Sequence, residues 1–210
     1  MSLFRRKWQD FFDERVRTMI AKNTSILDMG GGLRIDKTRS NRIDHRNVWM
    51  MEEMQSRGVK YRILDYVDTY HPDIVGDIQK LPLPDSSEEA IVCMSVLEHV
   101  ENPFLAASEM YRVLKPGGQL LLYVPFLFYY HAENGYYADY WRFTEEALRT
   151  LCKDFSSVEV HPSRGAIETW LKISPLGRST LICDLGCALD KLLGKELSKQ
   201  TSGYYVFATK

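Results

Sequence analysis

The chain has 210 residues, enough for one domain with a sizeable buried core. Hydrophobic residues make up 45% and charged residues 26% of it, and the net charge is −1, so no global field draws it toward nucleic acid or an acidic membrane surface. Cys93, Cys152, Cys183 and Cys187 show neither C-x-x-C spacing nor a disulfide framework, which points to a reducing, cytoplasmic setting. Cys183 and Cys187 lie four apart on a predicted helix, but no second Cys/His pair completes a zinc site.

Residues 3 to 21 predict a helix, because Phe4, Trp8, Phe11, Phe12, Val16, Met19 and Ile20 recur at helical spacing. Arg5, Arg6, Asp10, Asp13 and Arg17 fall between them. Acids on that polar face favour docking on the protein's own core over a membrane surface. Strand one is Ser25 to Met29. A polar, arginine-rich stretch from Arg34 to Arg46 leads to a helix ending near Gly58, with Ile43, Met50, Met51 and Met54 as its core stripe.

Strand two is Tyr61 to Leu64, closed by Asp65, and the short strand three is Asp73 to Gly76. A parallel crossover needs a dozen or more residues, usually a helix. The connection here is too short, so one crossover helix is expected to be missing. Strand four is Ala90 to Met94. The next helix has an Asn102 cap, Pro103 in its first turn, and a stop at Lys115-Pro116-Gly117-Gly118. Strand five, Gln119 to Pro125, is apolar on both faces, as a central strand should be. The apolar run Leu120 to Tyr130 is too short to cross a bilayer and contains Pro125. A long aromatic loop, Phe126 to Arg142, leads to a helix from Thr144, and strand six lies near Ser157 to His161. An irregular apolar insertion, a helix near Ser179 to Leu193 and the last strand, Gly203 to Ala208, finish the chain. The order is α/β with a largely parallel sheet. It reads as a single domain over 1–210, with a docking helix at 1–22, a core at 25–160 and an insertion at 161–202.

Four features fall at successive carboxyl ends of parallel strands, where open α/β sheets bind ligands. The first is Ser25-Ile26-Leu27-Asp28-Met29-Gly30-Gly31-Gly32, a strand running into a turn almost without side chains. Glycine there accepts positive φ and lets a nucleoside-bearing ligand approach backbone N–H groups, although such a turn can also simply end a strand. The second is Asp65, suited to accepting two ribose hydroxyl protons. In the third, Gly76-Asp77-Ile78, the carboxylate can take an adenine amino proton while Ile78 packs on the ring. The fourth is Met94-Ser95. Together they describe a nucleoside pocket.

With these residues the chain resembles the class I S-adenosylmethionine-dependent methyltransferases, nearest the branch of ubiquinone and menaquinone biosynthesis enzymes. The resemblance rests on Ile26 to Gly32, Gly76-Asp77-Ile78-Gln79-Lys80-Leu81-Pro82, Ser95-Val96-Leu97-Glu98-His99-Val100 and Arg112-Val113-Leu114-Lys115-Pro116-Gly117-Gly118. It covers about residues 25 to 160 and implies a Rossmann-like, seven-stranded, mostly parallel sheet with an antiparallel last strand and helices on both faces. It further implies that Asp28, Gly30 and Gly32 hold the methionine end of S-adenosylmethionine, Asp65 the ribose, and Asp77 with Ile78 the adenine. Met94 and Ser95 would lie beside the amino-acid moiety. Two departures stand out: Leu33-Arg34 replaces the usual third glycine, and the lost helix leaves the adenine edge open, with Asp68 competing with Asp65. The pattern Val124-Pro125-Phe126-Leu127, His131, then Asp139-Tyr140-Trp141-Arg142-Phe143-Thr144 is similar to bacterial methyltransferases associated with cell-surface glycans.

The reading is therefore methyl transfer from S-adenosylmethionine to a small-molecule or glycan-like acceptor at oxygen or nitrogen. His131 and His99 are the candidate bases by residue type and by proximity to strand ends. Tyr130, Tyr140 and Arg142 are candidate acceptor contacts, and Asp139 with Arg142 is also expected as an ion pair fixing the loop. Glu98, His99 and His131 have no recognisable ligand spacing, so no metal is expected. Nucleic-acid partners and stable membrane insertion are not expected either, and oligomeric state is not legible. Two other readings stay open. One is a methyltransferase fold kept as a binding or regulatory module. The other is a nicotinamide dehydrogenase, whose fingerprint needs a final glycine that Gly30-Gly31-Gly32-Leu33-Arg34-Ile35 lacks.

Overall fold

The structure, a computed structural model, describes residues 5–36, 38 and 43–210. The predicted helix start at residues 3–4, with Phe4, and residues 37 and 39–42 of the arginine-rich stretch lie outside the described residues.

Seven strands form one sheet in the order β3-β2-β1-β4-β5-β7-β6. β1 (Ser25–Met29), β2 (Lys60–Asp65), β3 (Ile74–Val75), β4 (Glu88–Met94) and β5 (Leu114–Pro125) are parallel. β7 (Gly203–Thr209) runs antiparallel to both β5 and β6 (Ser157–Pro162). The fold class is the one expected. No helix joins β2 to β3: residues 66–73 hold only a 3-10 turn, Asp68–Tyr70, and β3 pairs through Leu64–Ile74 and Asp65–Val75 alone.

One sheet face is covered by α1 (Lys7–Lys22) and α2 (Val48–Ser56), the other by α3 (Pro103–Val113) and α4 (Glu145–Leu151). The N-terminal helix docks on the core as its spacing predicts. Phe12, Val16, Met19 and Ile20 are buried against Ile26, Val92, Leu121 and Phe207, and each such burial contributes ~1.5–3 kcal/mol. On the opposite face Ala106, Met110 and Val113 of α3 and Leu148 of α4 meet Leu27, Met29, Leu120 and Leu122. The caps of α3 and α4 are local: the Asn102 side chain accepts from the Leu105 N–H at 3.1 Å and Thr144 from Ala147 at 3.2 Å.

Two elements differ from expectation. Strand five starts earlier, because Leu114 pairs with Glu88 before the Lys115–Gly118 excursion and Gln119 resumes the ladder opposite Ala90. The stretch read as irregular before the last helix contains α5 (Ala166–Ile173) and a 3-10 turn, Pro175–Arg178, ahead of α6 (Thr180–Leu192). The α5 start has no cap of its own. Asp190 of α6 accepts the Ile167 and Glu168 N–H groups at 2.9 and 2.8 Å. That partner is over twenty positions away, so no local signal announces the helix. α5 and α6 are tied to the start of α1 by buried ions: Arg6 donates to Glu168 at 2.7 Å and to Asp184 at 3.1 Å. All four cysteines are free and buried. No described helix is long and apolar enough to cross a membrane.

Candidate functional site

The parallel strands end level with one another. Gly30 donates to the Leu64 carbonyl at 2.7 Å, Gly76 to Asp65 at 2.9 Å, and Ser95 to Tyr123 at 2.9 Å. The residues following β1, β2, β3 and β4 therefore share one edge, and the chain reverses its direction across the sheet between β1 and β4. Crevices at such reversal points are where open α/β sheets take ligands.

The turn after β1 needs its glycines. Gly30 and Gly31 have φ of +78° and +58°, and Arg34 follows at +54°. A Cβ on Gly30 would sit 2.5 Å from a Val96 methyl, and one on Gly32 would lie 2.7 Å from the Met94 carbonyl oxygen. Asp28 lies beneath the turn, fully buried, where its two oxygens accept the Gly32 N–H at 3.1 Å and the Leu33 N–H at 3.0 Å. Tyr61 of β2 donates to it at 2.6 Å. Burial pushes the Asp28 carboxyl up to about 7 despite those three donors. In this geometry Asp28 shapes the turn from below. Tyr61 is a partner that sequence reading missed: nothing local links a strand tyrosine to an acid on the neighbouring strand.

Asp65 ends β2 half-buried, and burial raises its pKa. One of its oxygens accepts the Val67 N–H at 3.2 Å. Asp68 is exposed, at the start of the 3-10 turn. Asp77 is held by Gln79, whose N–H donates to it at 2.8 Å. Ile78 turns into the core, 5% exposed. Met94 is half-buried at the tip of β4, and Ser95 is exposed with φ of +56°.

Beside the glycine turn opens a cavity of about 710 Å³, within the range of small-molecule sites. Gly32, Leu33, Met94, Tyr123 and Tyr205 form its floor, and the start of α1, α5 and the Pro175–Arg178 turn form its walls. Among the described residues six Arg or Lys side chains line it with three carboxylates. Several of these cations are engaged: Arg46 with Asp44 at 2.6 Å, and Lys172 with the Gly177 carbonyl at 3.0 Å. Arg178 is exposed and makes no hydrogen bond or ion pair among the described residues. Sequence reading missed this lining, because it assembles from residues near 5, 46 and 170.

The aromatic loop after β5 folds back onto the 3-10 turn Leu97–His99 that follows β4. Tyr140 N–H donates to the Glu98 carbonyl at 2.8 Å, and the Trp141 indole to Val100 at 2.9 Å. Asp139 anchors the loop. It accepts from Arg142 at 2.5 and 2.8 Å and from the His131 N–H at 2.8 Å. The guanidinium holds the Asp139 carboxyl well below the usual carboxylate range. Arg142 also donates to the Phe128, Tyr129 and Trp141 carbonyls, so its donors are directed within the loop. Tyr130 is 74% exposed, and Tyr140 reaches Glu101 at 3.4 Å.

His99 and His131 are brought together, with ring centroids 4.9 Å apart. Their Nε2 atoms lie 3.8 and 3.7 Å from Oε1 of Glu98. That carboxylate is fully buried, and neither of its oxygens has a hydrogen-bond partner among the described residues. Its proximity raises the pKa of His131.

Parts of the chain are similar to known proteins. The profile of a family described as a methyltransferase domain matches residues 49–122. A probable S-adenosylmethionine-dependent methyltransferase of Mycolicibacterium smegmatis is 42% identical over 50 residues, covering 24% of this chain and 20% of that protein. A demethylmenaquinone methyltransferase of Streptomyces avermitilis is 39% identical over 51 residues, 24% of this chain and 22% of that protein. The matches thus span about a fifth of these relatives. The crystal structure of a SAM-dependent methyltransferase from Archaeoglobus fulgidus superposes with a TM-score of 0.58 at 15% identity, over 96% of this chain and 94% of that one.

Proposed function

We propose that this chain is a class I S-adenosylmethionine-dependent methyltransferase, a working enzyme that methylates a small polar acceptor at oxygen or nitrogen; a methyltransferase-domain profile over residues 49–122 and the partial match to a probable S-adenosylmethionine-dependent methyltransferase support this reading. The observation that carries the proposal is the level row of strand tips. A side-chain-free turn, a half-buried acid and a second acid follow one another along one edge of the sheet. The residues present fit the cofactor: a Cβ at Gly30 or Gly32 would fill the cradle, and Asp65 brings a half-buried carboxylate to the same edge.

In this reading Gly30 to Gly32 receive the amino-acid end of the cofactor on backbone, with Asp28 as the positioning residue beneath them. Asp65 accepts the ribose hydroxyls and Asp77 the adenine amino group. Ile78 supports that edge from the core, and Met94 and Ser95 flank the methionine moiety. Bound S-adenosylmethionine supplies a methyl group on a sulfonium. The acceptor lone pair would form the new carbon bond as the carbon–sulfur bond breaks, with S-adenosylhomocysteine as the leaving group and the acceptor's proton passing to solvent. Holding reactants at near-attack distance accounts for roughly 7–11 kcal/mol of such a barrier. The chain's task is therefore placement.

The cavity at Gly32 and Met94 supports an acceptor that carries negative charge, such as a carboxylate or phosphate group on a small molecule or sugar. Arg178 is its counter-charge, with Lys172, whose one bond is to a neutral carbonyl, beside it. Tyr130 and Tyr140 stand on the loop rim as stacking surfaces, while Arg142 holds the loop itself.

Thermal unfolding with S-adenosylmethionine, S-adenosylhomocysteine and NAD tests the reading. Ligand at 100 times its dissociation constant adds about 2.7 kcal/mol, or roughly 5–10 °C for a domain of this size. Both sulfur ligands are expected to shift the transition; a response to NAD alone refutes the assignment. Turnover separates the enzyme from a binding module. A panel of anionic and neutral hydroxyl or amine acceptors should show label transfer from methyl-labelled cofactor, faster to the anionic ones.

A further inference from the structure

Glu98 poses a physical problem that the methyltransferase reading leaves open. It is fully buried, and both carboxylate oxygens lack a donor. A buried polar group without a partner is costly, so this carboxyl calls for one. The two imidazoles beside it direct their Nδ1 atoms to other acceptors. His99 Nδ1 lies 2.6 Å from the Ala138 carbonyl, and His131 Nδ1 lies 3.2 Å from the Tyr129 carbonyl and 3.3 Å from Asp139. Both Nδ1 atoms face acceptors, so each carries the ring proton. In the neutral imidazoles Nε2 is then a bare lone pair. Those two lone pairs and the carboxylate converge: their ligand atoms all lie within 4.8 Å of one another.

A proton does not resolve this arrangement well. The Nε2 to Oε1 separations of 3.7 and 3.8 Å exceed hydrogen-bond length. Protonating His131 would also leave the second carboxylate oxygen without a donor and the His99 Nε2 lone pair toward the carboxylate. A metal ion bound at about 2.0–2.2 Å from each ligand holds its ligands roughly 3–4 Å apart, and the two imidazole–carboxylate separations fall in that range.

We propose that Glu98, His99 and His131 form a divalent-metal site. Two imidazoles and one carboxylate select a first-row transition ion or zinc over magnesium or calcium. Three protein ligands leave at least one position open. The surroundings suit the role. Asp139, pinned by Arg142, backs His131 Nδ1, and the Ala138 carbonyl backs His99 Nδ1; such outer partners fix the tautomer and ring orientation of metal-bound histidines. His131 is about one quarter exposed and gives an entry path. The site draws on the 3-10 turn after β4 and the loop after β5, both at the strand-tip edge. If the methyltransferase reading holds, an oxygen-bearing acceptor is the natural occupant of the open position; the site itself does not depend on that reading.

Full-length protein, stripped with a chelator, is titrated with Co²⁺ and followed by visible d–d absorption and calorimetry; Mn²⁺, Zn²⁺ and Mg²⁺ are compared by calorimetry. One Co²⁺ per chain is expected, with Mg²⁺ far weaker. Asp139→Asn should weaken Co²⁺ by ~10–100-fold, and His131→Ala or Glu98→Gln by at least as much. His131→Ala changes a partly exposed loop residue, so it decides the question if Glu98→Gln fails to fold. No saturable site for Co²⁺, Mn²⁺ or Zn²⁺, or affinity unchanged in His131→Ala, overturns the proposal. S-adenosylhomocysteine affinity is measured on the same samples. Absent metal binding with cofactor binding intact sinks this inference alone, whereas the converse sinks only the methyltransferase reading.

Discussion

At the tips of β1, β2 and β3 the sheet edge presents backbone and short acids within or next to strands. Beyond β4 and β5 the same edge presents long side chains drawn from loops and helices far apart in the chain. The first region has little freedom. Gly32 abuts the Met94 carbonyl, and the turn is fixed from below by Asp28, so a ligand meets a surface set by the sheet's own geometry. The second depends on charge pairing: Asp139 with Arg142 and His131, Arg6 with Glu168 and Asp184, Arg46 with Asp44. A rigid backbone cradle suits a ligand that is always the same. Side-chain walls on loops suit one that differs between relatives.

That contrast can be broken by substitution. The largest effect is expected for Gly32→Val, whose side chain must enter the space of Met94; cofactor affinity should fall by at least about a hundredfold, some 2.7 kcal/mol, in calorimetry with S-adenosylhomocysteine. Asp65→Ala should cost ~10–100-fold in the same assay, while Asp68→Ala, on the exposed turn, leaves the affinity within about twofold. Equal losses would remove Asp65 from the ribose. In the second region Asp139→Asn should leave cofactor affinity unchanged but lower turnover, by ~10-fold or more, and speed proteolysis within residues 126–142. A drop in cofactor affinity of the same size would erase the distinction between the two regions.

The smallest expected effect is a pH slope. The Asp28 carboxyl is raised from 3.8 to about 7 by burial, so the folded chain holds a proton there that the unfolded chain releases. Its contribution to stability is fully present below about pH 4 and is lost as pH rises through about 7. Melting temperature measured from about pH 4 to 8 should fall less steeply in Asp28→Asn than in the unsubstituted chain. Identical slopes would mean that the three donors keep Asp28 ionised throughout.

Most of the sheet could be read from residues alone. Short apolar runs ended by Asp28, Asp65 or Gly76 marked β1 to β3, and the short gap before Asp73 correctly implied a lost helix. The N-terminal helix was legible from its stripe of Phe12, Val16, Met19 and Ile20. Asn102 and Thr144 announced α3 and α4 because their caps act three residues away. By contrast α5 was invisible, since its cap is Asp190 and its buried partner is Arg6, neither of them near in sequence.

Local chemistry settled the strand ends and the glycine turn, because backbone sterics and periodicity act over a few residues. Which charges meet was settled only by folding. Nothing in the spacing of Glu98, His99 and His131 indicates that two imidazole nitrogens approach one buried carboxylate, and nothing around Tyr61 indicates a bond to Asp28. Those contacts cross between strands and loops, where burial strengthens each electrostatic interaction and the chain's order carries no trace of it.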